Sequence, residues 1–85
     1  MAIRKLGRLL RSAFPGALVR RLGRPPGGDR IGGVLVWGGF EGLDQIDRQR
    51  ELWAVLRRDL TPEEQAQISL LMTVTPREFE LITAD

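Results

Sequence analysis

The chain has no cysteine, no histidine and no tyrosine among its 85 residues. Without Cys it can form no disulfide and offers no thiolate, which fits a reducing compartment and leads us to expect a cytoplasmic protein. Without Cys and His together, zinc and iron–sulfur sites lose their usual ligands, and Ser/His or Cys/His nucleophile pairs cannot be built. No apolar run approaches the roughly 18 residues that mark a membrane span. A secretory leader is not expected either, since charges interrupt the apolar residues of the N-terminal segment every three or four positions. Carboxylates remain, but they fall in helix-like surface patterns, and no short motif fixes two of them around a pocket. No catalytic residue, metal ligand or cofactor is therefore assigned, and an enzyme is not expected.

What is present is mostly charge and aliphatic surface. Apolar residues make up 42% and charged residues 28% of the chain, a globular balance, and the length predicts one domain over residues 1–85. The isoelectric point of about 10.4 reflects the missing His, Cys and Tyr as much as any excess of base. Nothing but the termini titrates between the carboxylates and Lys/Arg, so the net charge stays near +2 over that interval. The distribution says more. Residues 1–30 carry eight basic groups against Asp29 alone, and residues 31–85 carry five against ten acidic ones, so the halves stand at +7 and −5. Twelve of the thirteen basic residues are Arg, which suits bidentate contact with phosphate or carboxylate and is equally a product of high-GC coding.

Along the chain, Ile3, Leu6, Leu9, Leu10, Ala13 and Phe14 share one side of a predicted helix, with Arg4, Lys5, Arg8 and Arg11 over the rest. Such a helix packs on a core, meets phosphates or a membrane surface, or serves as an organelle-targeting segment. Pro15-Gly16 ends it. Residues 17–22 and 31–37 read as two strands joined by a Pro- and Gly-rich loop, with Gly32 and Gly33 marking a bulge or a close backbone approach. The loop lacks the spacing of a phosphate-binding loop. After a break at Gly38-Gly39-Phe40-Glu41-Gly42, Asp44 caps a long helix whose apolar face is predicted to hold Ile46, Trp53, Leu56 and Leu60, widened by Leu52 and Val55. Thr61-Pro62-Glu63-Glu64 and Thr75-Pro76-Arg77-Glu78 are capping boxes that open two short helices. Between them, residues 68–74 are apolar on both faces, as a central or covered strand would be.

Ala13-Phe14-Pro15-Gly16-Ala17, Phe40-Glu41-Gly42-Leu43, Arg48-Gln49-Arg50 and Thr75-Pro76-Arg77-Glu78 fall in an order and spacing that resembles the BolA family over nearly the whole chain. The resemblance implies an α+β, type II KH-like fold with the order α-β-β-α-α-β and a short C-terminal helix. Its sheet would be a mixed three-stranded one with helices on one face and a right-handed crossover. It also implies partnership with a monothiol glutaredoxin around a shared [2Fe-2S] cluster, and DNA binding as a regulator. The chain departs from the first of these. The family's ligand His falls near residues 67–69 and its second ligand in the loop 25–30, and neither stretch holds His or Cys. Gln49 replaces the central His of the family's Arg-His-Arg signature.

Two functions from different classes follow. One is a non-enzymatic adaptor or regulator that binds a protein, of the glutaredoxin-like kind that the resemblance implies, through Trp37 and Phe40 without supplying cluster ligands. The other is a nucleic-acid-binding regulator using Arg4, Lys5, Arg8 and Arg11 with Arg20, Arg21, Arg24, Arg48 and Arg50 on phosphates. Arg48 and Arg50 read equally as solvated helix residues paired with Asp44, Asp47 or Glu51. Trp53 is expected in the core, and Trp37, beside three glycines, is the better exposed contact, although burial is the default for both. Gly39-Phe40-Glu41-Gly42 spells the KH-type Gly-x-x-Gly but lies after a strand, where Glu41 would repel phosphate. A permanent subunit with one basic and one acidic side is a further reading.

Overall fold

The computed structural model describes residues 1–84. Helix α1 (Ile3–Ala13) leads into strands β1 (Leu18–Gly23) and β2 (Ile31–Val36). A single 3-10 turn at Gly38–Phe40 precedes α2 (Gln45–Asp59), and α3 (Pro62–Gln65), β3 (Ile68–Val74) and α4 (Pro76–Thr83) follow. These bounds match the sequence expectation to within a residue or two, because each end carries its own stop or start. The Phe14 N–H closes α1 on Leu10 O, and Gly16 takes the left-handed φ of 84° that turns the chain back toward β1. Asp44 accepts from the Asp47 N–H to start α2, and Thr61 and Thr75 form complete capping boxes with Glu64 and Glu78.

The sheet order is β1-β2-β3, with β1 antiparallel and β3 parallel to β2. The covered, doubly apolar strand expected at residues 68–74 is therefore an edge strand, and β2 is the central one. Alternation sorts the residues by face. Ile31, Leu35 and Leu71 turn toward α1 and α2, where Leu6, Leu10, Phe14, Phe40, Leu52 and Leu56 complete the main core. Val34, Val36 and Val74 turn the other way and pack under Phe79 of α4. So α1 and α2 occupy one face as the resemblance implies, while the short C-terminal helix reaches the opposite one.

Bulges interrupt both ladders near the glycines, between Arg20 and Gly23 and between Ile31 and Gly32. Gly33 has no room for a side chain, since a Cβ there would lie 3.0 Å from Leu22 Cδ1 and 3.3 Å from Arg20 O. The expected bulge and close approach are thus both present.

The helix-face assignment of α2 needs one correction. Its buried side is Arg48, Leu52 and Leu56, with Trp53 and Val55 half-buried beside them, and Ile46 is 65% exposed. Heptad-like spacing put Ile46 in line with Trp53. The helix instead rolls so that Arg48 turns inward and its guanidinium lies over the Phe40 ring.

Candidate functional site

The region where the resemblance would place cluster ligands is built from Gln67, Ser69 and the loop of residues 25–30. Gln67 Oε1 accepts from the Met1 amine at 2.6 Å and from Arg24 Nη2 at 3.2 Å, while Arg24 Nε donates to Asp29 O. Ser69 Oγ donates to Ile31 O. The residues that stand at the ligand positions are an amide and a hydroxyl already held in hydrogen bonds, with no thiolate or imidazole among them. These donors do not fit an iron–sulfur cluster.

Arg48 is the residue that sequence reasoning placed least well. It is 6% exposed. Its Nε donates to Leu43 O at 2.9 Å, and Nη1 donates to Thr73 O at 3.2 Å and to Glu78 Oε1 at 2.6 Å. Nη2 completes the bidentate pair on Glu78 Oε2 at 3.2 Å. Neither the solvated residue nor the phosphate contact is what this guanidinium does. It ties α2 to the break after β2, to the end of β3 and to the start of α4, and Glu78 lies too far along the sequence for local spacing to reveal it. Held by Arg48 first and by the Thr75 N–H second, Glu78 drops from its ordinary 4.5 to about 2. Arg50 does project into solvent, 3.6 Å from Asp47, a spacing and exposure worth little.

Gln49, in place of the signature His, donates to Leu71 O at 2.9 Å and Thr73 Oγ1 at 3.1 Å, and Gln45 donates to Thr73 O at 3.0 Å. Together with Arg48 these amides cap the outward carbonyls of β3, so its free edge is blunted against pairing with another strand. Sequence reading missed this role for Gln45 and Gln49. Two Gln four residues apart on one helix face were the available signal, but the partner strand was not.

The aromatic contacts are corrected as well. Phe40 is fully buried, and Trp37 stands edge-on to both Phe14 and Phe40 with centroids 5.0 and 5.1 Å away. The indole Nε1 donates to Pro15 O at 3.0 Å, and the ring lies over Gly39, where any Cβ would collide with it. Phe40 cannot touch a partner, and Trp37 presents only part of one ring surface.

Two open surfaces carry the remaining basic candidates. Arg4, Arg8 and Arg11 line a groove between α1 and β1 with Val19 and Leu22, and among the described residues none of the three has an ion-pair partner within 4 Å. Lys5 does, bonding Glu64 across to α3. The second surface is the half of the sheet that α4 leaves bare. There Leu70 is 59% and Met72 41% exposed, beside Gly32 and Val34 of β2 and with Arg21 and Arg24 at the margin. Arg20 belongs to the same face, in register with Val34 and Met72. Leu70 and Met72 are what made β3 look covered, and the signal was present in the sequence without saying what does the covering.

No protein-family model matches the chain and no curated protein matches it. Among solved structures it is similar to that of a BolA protein homologue from Coxiella burnetii. The TM-score is 0.70 at 21% identity, over 94% of this chain and 97% of the other. The likeness establishes a BolA-like fold, the fold that the order of motifs implied.

Proposed function

We propose that this chain is a non-enzymatic BolA-like adaptor or regulatory protein that works by binding a protein partner, without iron–sulfur ligands of its own. The reading rests on one observation above all. On a sheet whose other face is fully packed, two large aliphatic side chains of β3 stand in water beside a glycine-lined strand. Exposed apolar surface of this kind marks an interaction site. Nothing near it pairs titratable groups for acid–base work. A monothiol glutaredoxin-like protein is the partner class that the resemblance implies, the shared sheet and core of the described elements support one domain, and the Cys-free sequence fits the reducing cytoplasm. The test is co-purification of the tagged protein from its own cells, with and without nuclease. A single protein retained near stoichiometry after nuclease supports the adaptor; recovery that vanishes with nuclease overturns it.

A second reading has its own observation. The unpaired guanidiniums of Arg4, Arg8 and Arg11 along one groove suit a run of phosphates, and nucleic acid bound there would be released steeply as salt rises. Replacing Arg4, Lys5, Arg8 and Arg11 by Gln should then abolish affinity for duplex DNA in an anisotropy titration. Unchanged affinity sinks this reading.

A further inference from the structure

We infer that the bare half of the sheet is the docking trough for an acidic amphipathic helix of the partner protein, an inference that rests on the adaptor reading above. Its floor is formed where Gly23 of β1 pairs with Gly32 of β2. Over Gly23 lies open space. Leu70 and Met72 form one wall, and Val34 marks the boundary with the half that α4 already covers. Such a shape accepts aliphatic side chains. No aromatic ring lines it, so it offers no platform for stacking bases.

The charge around the trough selects the partner. Arg21 and Arg24 stand at its margin, and among the described residues no carboxylate lines it. Arg21 is held at a left-handed φ of 55° inside the β1 bulge, a conformation that side-chain-bearing residues rarely adopt and that bulges use to re-aim a side chain. Arg24 is fixed by its bonds to Asp29 O and Gln67. Arg20, on the same sheet face, bonds only its neighbour's carbonyl, Val19 O. Two Arg at the margin of an apolar floor, with Arg20 on the same sheet face, are complementary to a segment that is apolar on one side and acidic on its flanks.

The adjoining half of this face shows how these strands are covered. There Phe79 of α4 packs on Val34, Val36 and Val74, between Glu78 and Glu80 in sequence, while Leu81 and Ile82 stay exposed. An apolar side chain carried on an acidic helix already lies against these strands. Main-chain pairing at the β3 edge is the competing mode of docking, and the amides of Gln45 and Gln49 on the Leu71 and Thr73 carbonyls oppose it. On the β3 side a partner is therefore directed to side chains on the face.

The experiment places a photo-crosslinking benzoylphenylalanine at residue 70 in the trough, at residue 46 on the outside of α2, or at residue 8 on α1, in the full chain expressed in its own cells. The expected result is a protein adduct from position 70 whose cross-linked segment is apolar and net acidic. Gly23→Leu, which fills open space at an ordinary backbone conformation, should reduce that adduct roughly tenfold or more, as loss of a central contact does. Met72→Glu, which places like charge against the acidic segment, should do the same and serves if Gly23→Leu fails to fold by circular dichroism. Protein adducts from 46 or 8 with none from 70 overturn the trough and leave the adaptor reading standing. Nucleic acid from position 8 and no protein from any position overturns both. An adduct from 70 to a basic segment or to a second copy overturns the trough as stated.

Discussion

The two faces of this sheet are made by the same three strands from nearly the same residue types, and they have different fates. Leu71 is 1% exposed and its neighbour Leu70 is 59% exposed. Toward α1 and α2 every aliphatic side chain meets another, and the polar groups at that boundary are bonded by Gln45, Arg48 and Gln49. Toward the other side, α4 covers Val36 and Val74 with one Phe ring and then stops. An apolar strand face is therefore no guarantee of a core. What distinguishes the two is how much helix packs on each, and the described helices cover one face and part of the next.

The comparison breaks hardest if the packed face is emptied. Phe40 sits at zero exposure between Phe14, Trp37 and the Arg48 guanidinium, so truncation leaves a cavity that rigid neighbours cannot refill. Phe40→Ala should lower the unfolding free energy by about 3–5 kcal/mol, a large part of what a small domain has. Urea unfolding followed by tryptophan fluorescence reads it, and a loss under about 1 kcal/mol would mean that the aromatic cluster is not the keystone of this face.

Next in size is Arg48, which closes the seam between the two faces by joining α2, β3 and α4. Arg48→Leu keeps an apolar stem but takes the side-chain donor from Leu43 O and the guanidinium from Glu78, while Gln45 still bonds Thr73 O. A destabilisation of about 2–3 kcal/mol is expected, measured in the same urea experiment. Wild-type stability in this variant would return Arg48 to the surface role first read for it.

The acidic end of that contact gives a smaller, pH-limited effect, because the Glu78 side chain is 43% exposed. Its folded value of about 2 lies below the ordinary 4.5, so its contribution is complete above roughly 4.5 and is lost as the pH falls through about 2. The difference in urea midpoint between the wild type and Glu78→Gln should be constant near neutrality and shrink between those two values. A difference independent of pH would show that the carboxylate charge contributes nothing.

Much of this was legible in the sequence because it is local. Caps at Asp44, Thr61 and Thr75, the Pro15-Gly16 stop and the strand glycines each announce themselves within four residues, and their joint order gave the BolA-like fold. The functional residues were legible only where chemistry is intrinsic, as with the missing His and Cys at the cluster positions. The failures were all partnerships across the fold. Arg48 reaches Glu78 thirty residues away, Gln49 reaches Leu71, and Phe40 and Trp37 were read as contacts because their cluster with Phe14 joins three segments. Ile46 was read as core because periodicity fixes a face to within about one residue and leaves the roll of the helix to packing.

The smallest expected effect sharpens the comparison most. Leu70 and Leu71 are adjacent, identical in chemistry and opposite in facing, so their Ala variants differ only in environment. Leu71→Ala empties packed core and should cost about 2–5 kcal/mol. Leu70→Ala removes a side chain already largely in water and should change stability by less than about 0.5 kcal/mol in either direction. The urea slope should be unchanged in both, since neither alters the surface exposed on unfolding by much. If Leu70→Ala costs as much as Leu71→Ala, then something in the isolated chain covers that face, and the trough is closed to a partner. If it costs nothing, Leu70 has no partner within the isolated chain to lose, and that face is open to a side chain from another protein.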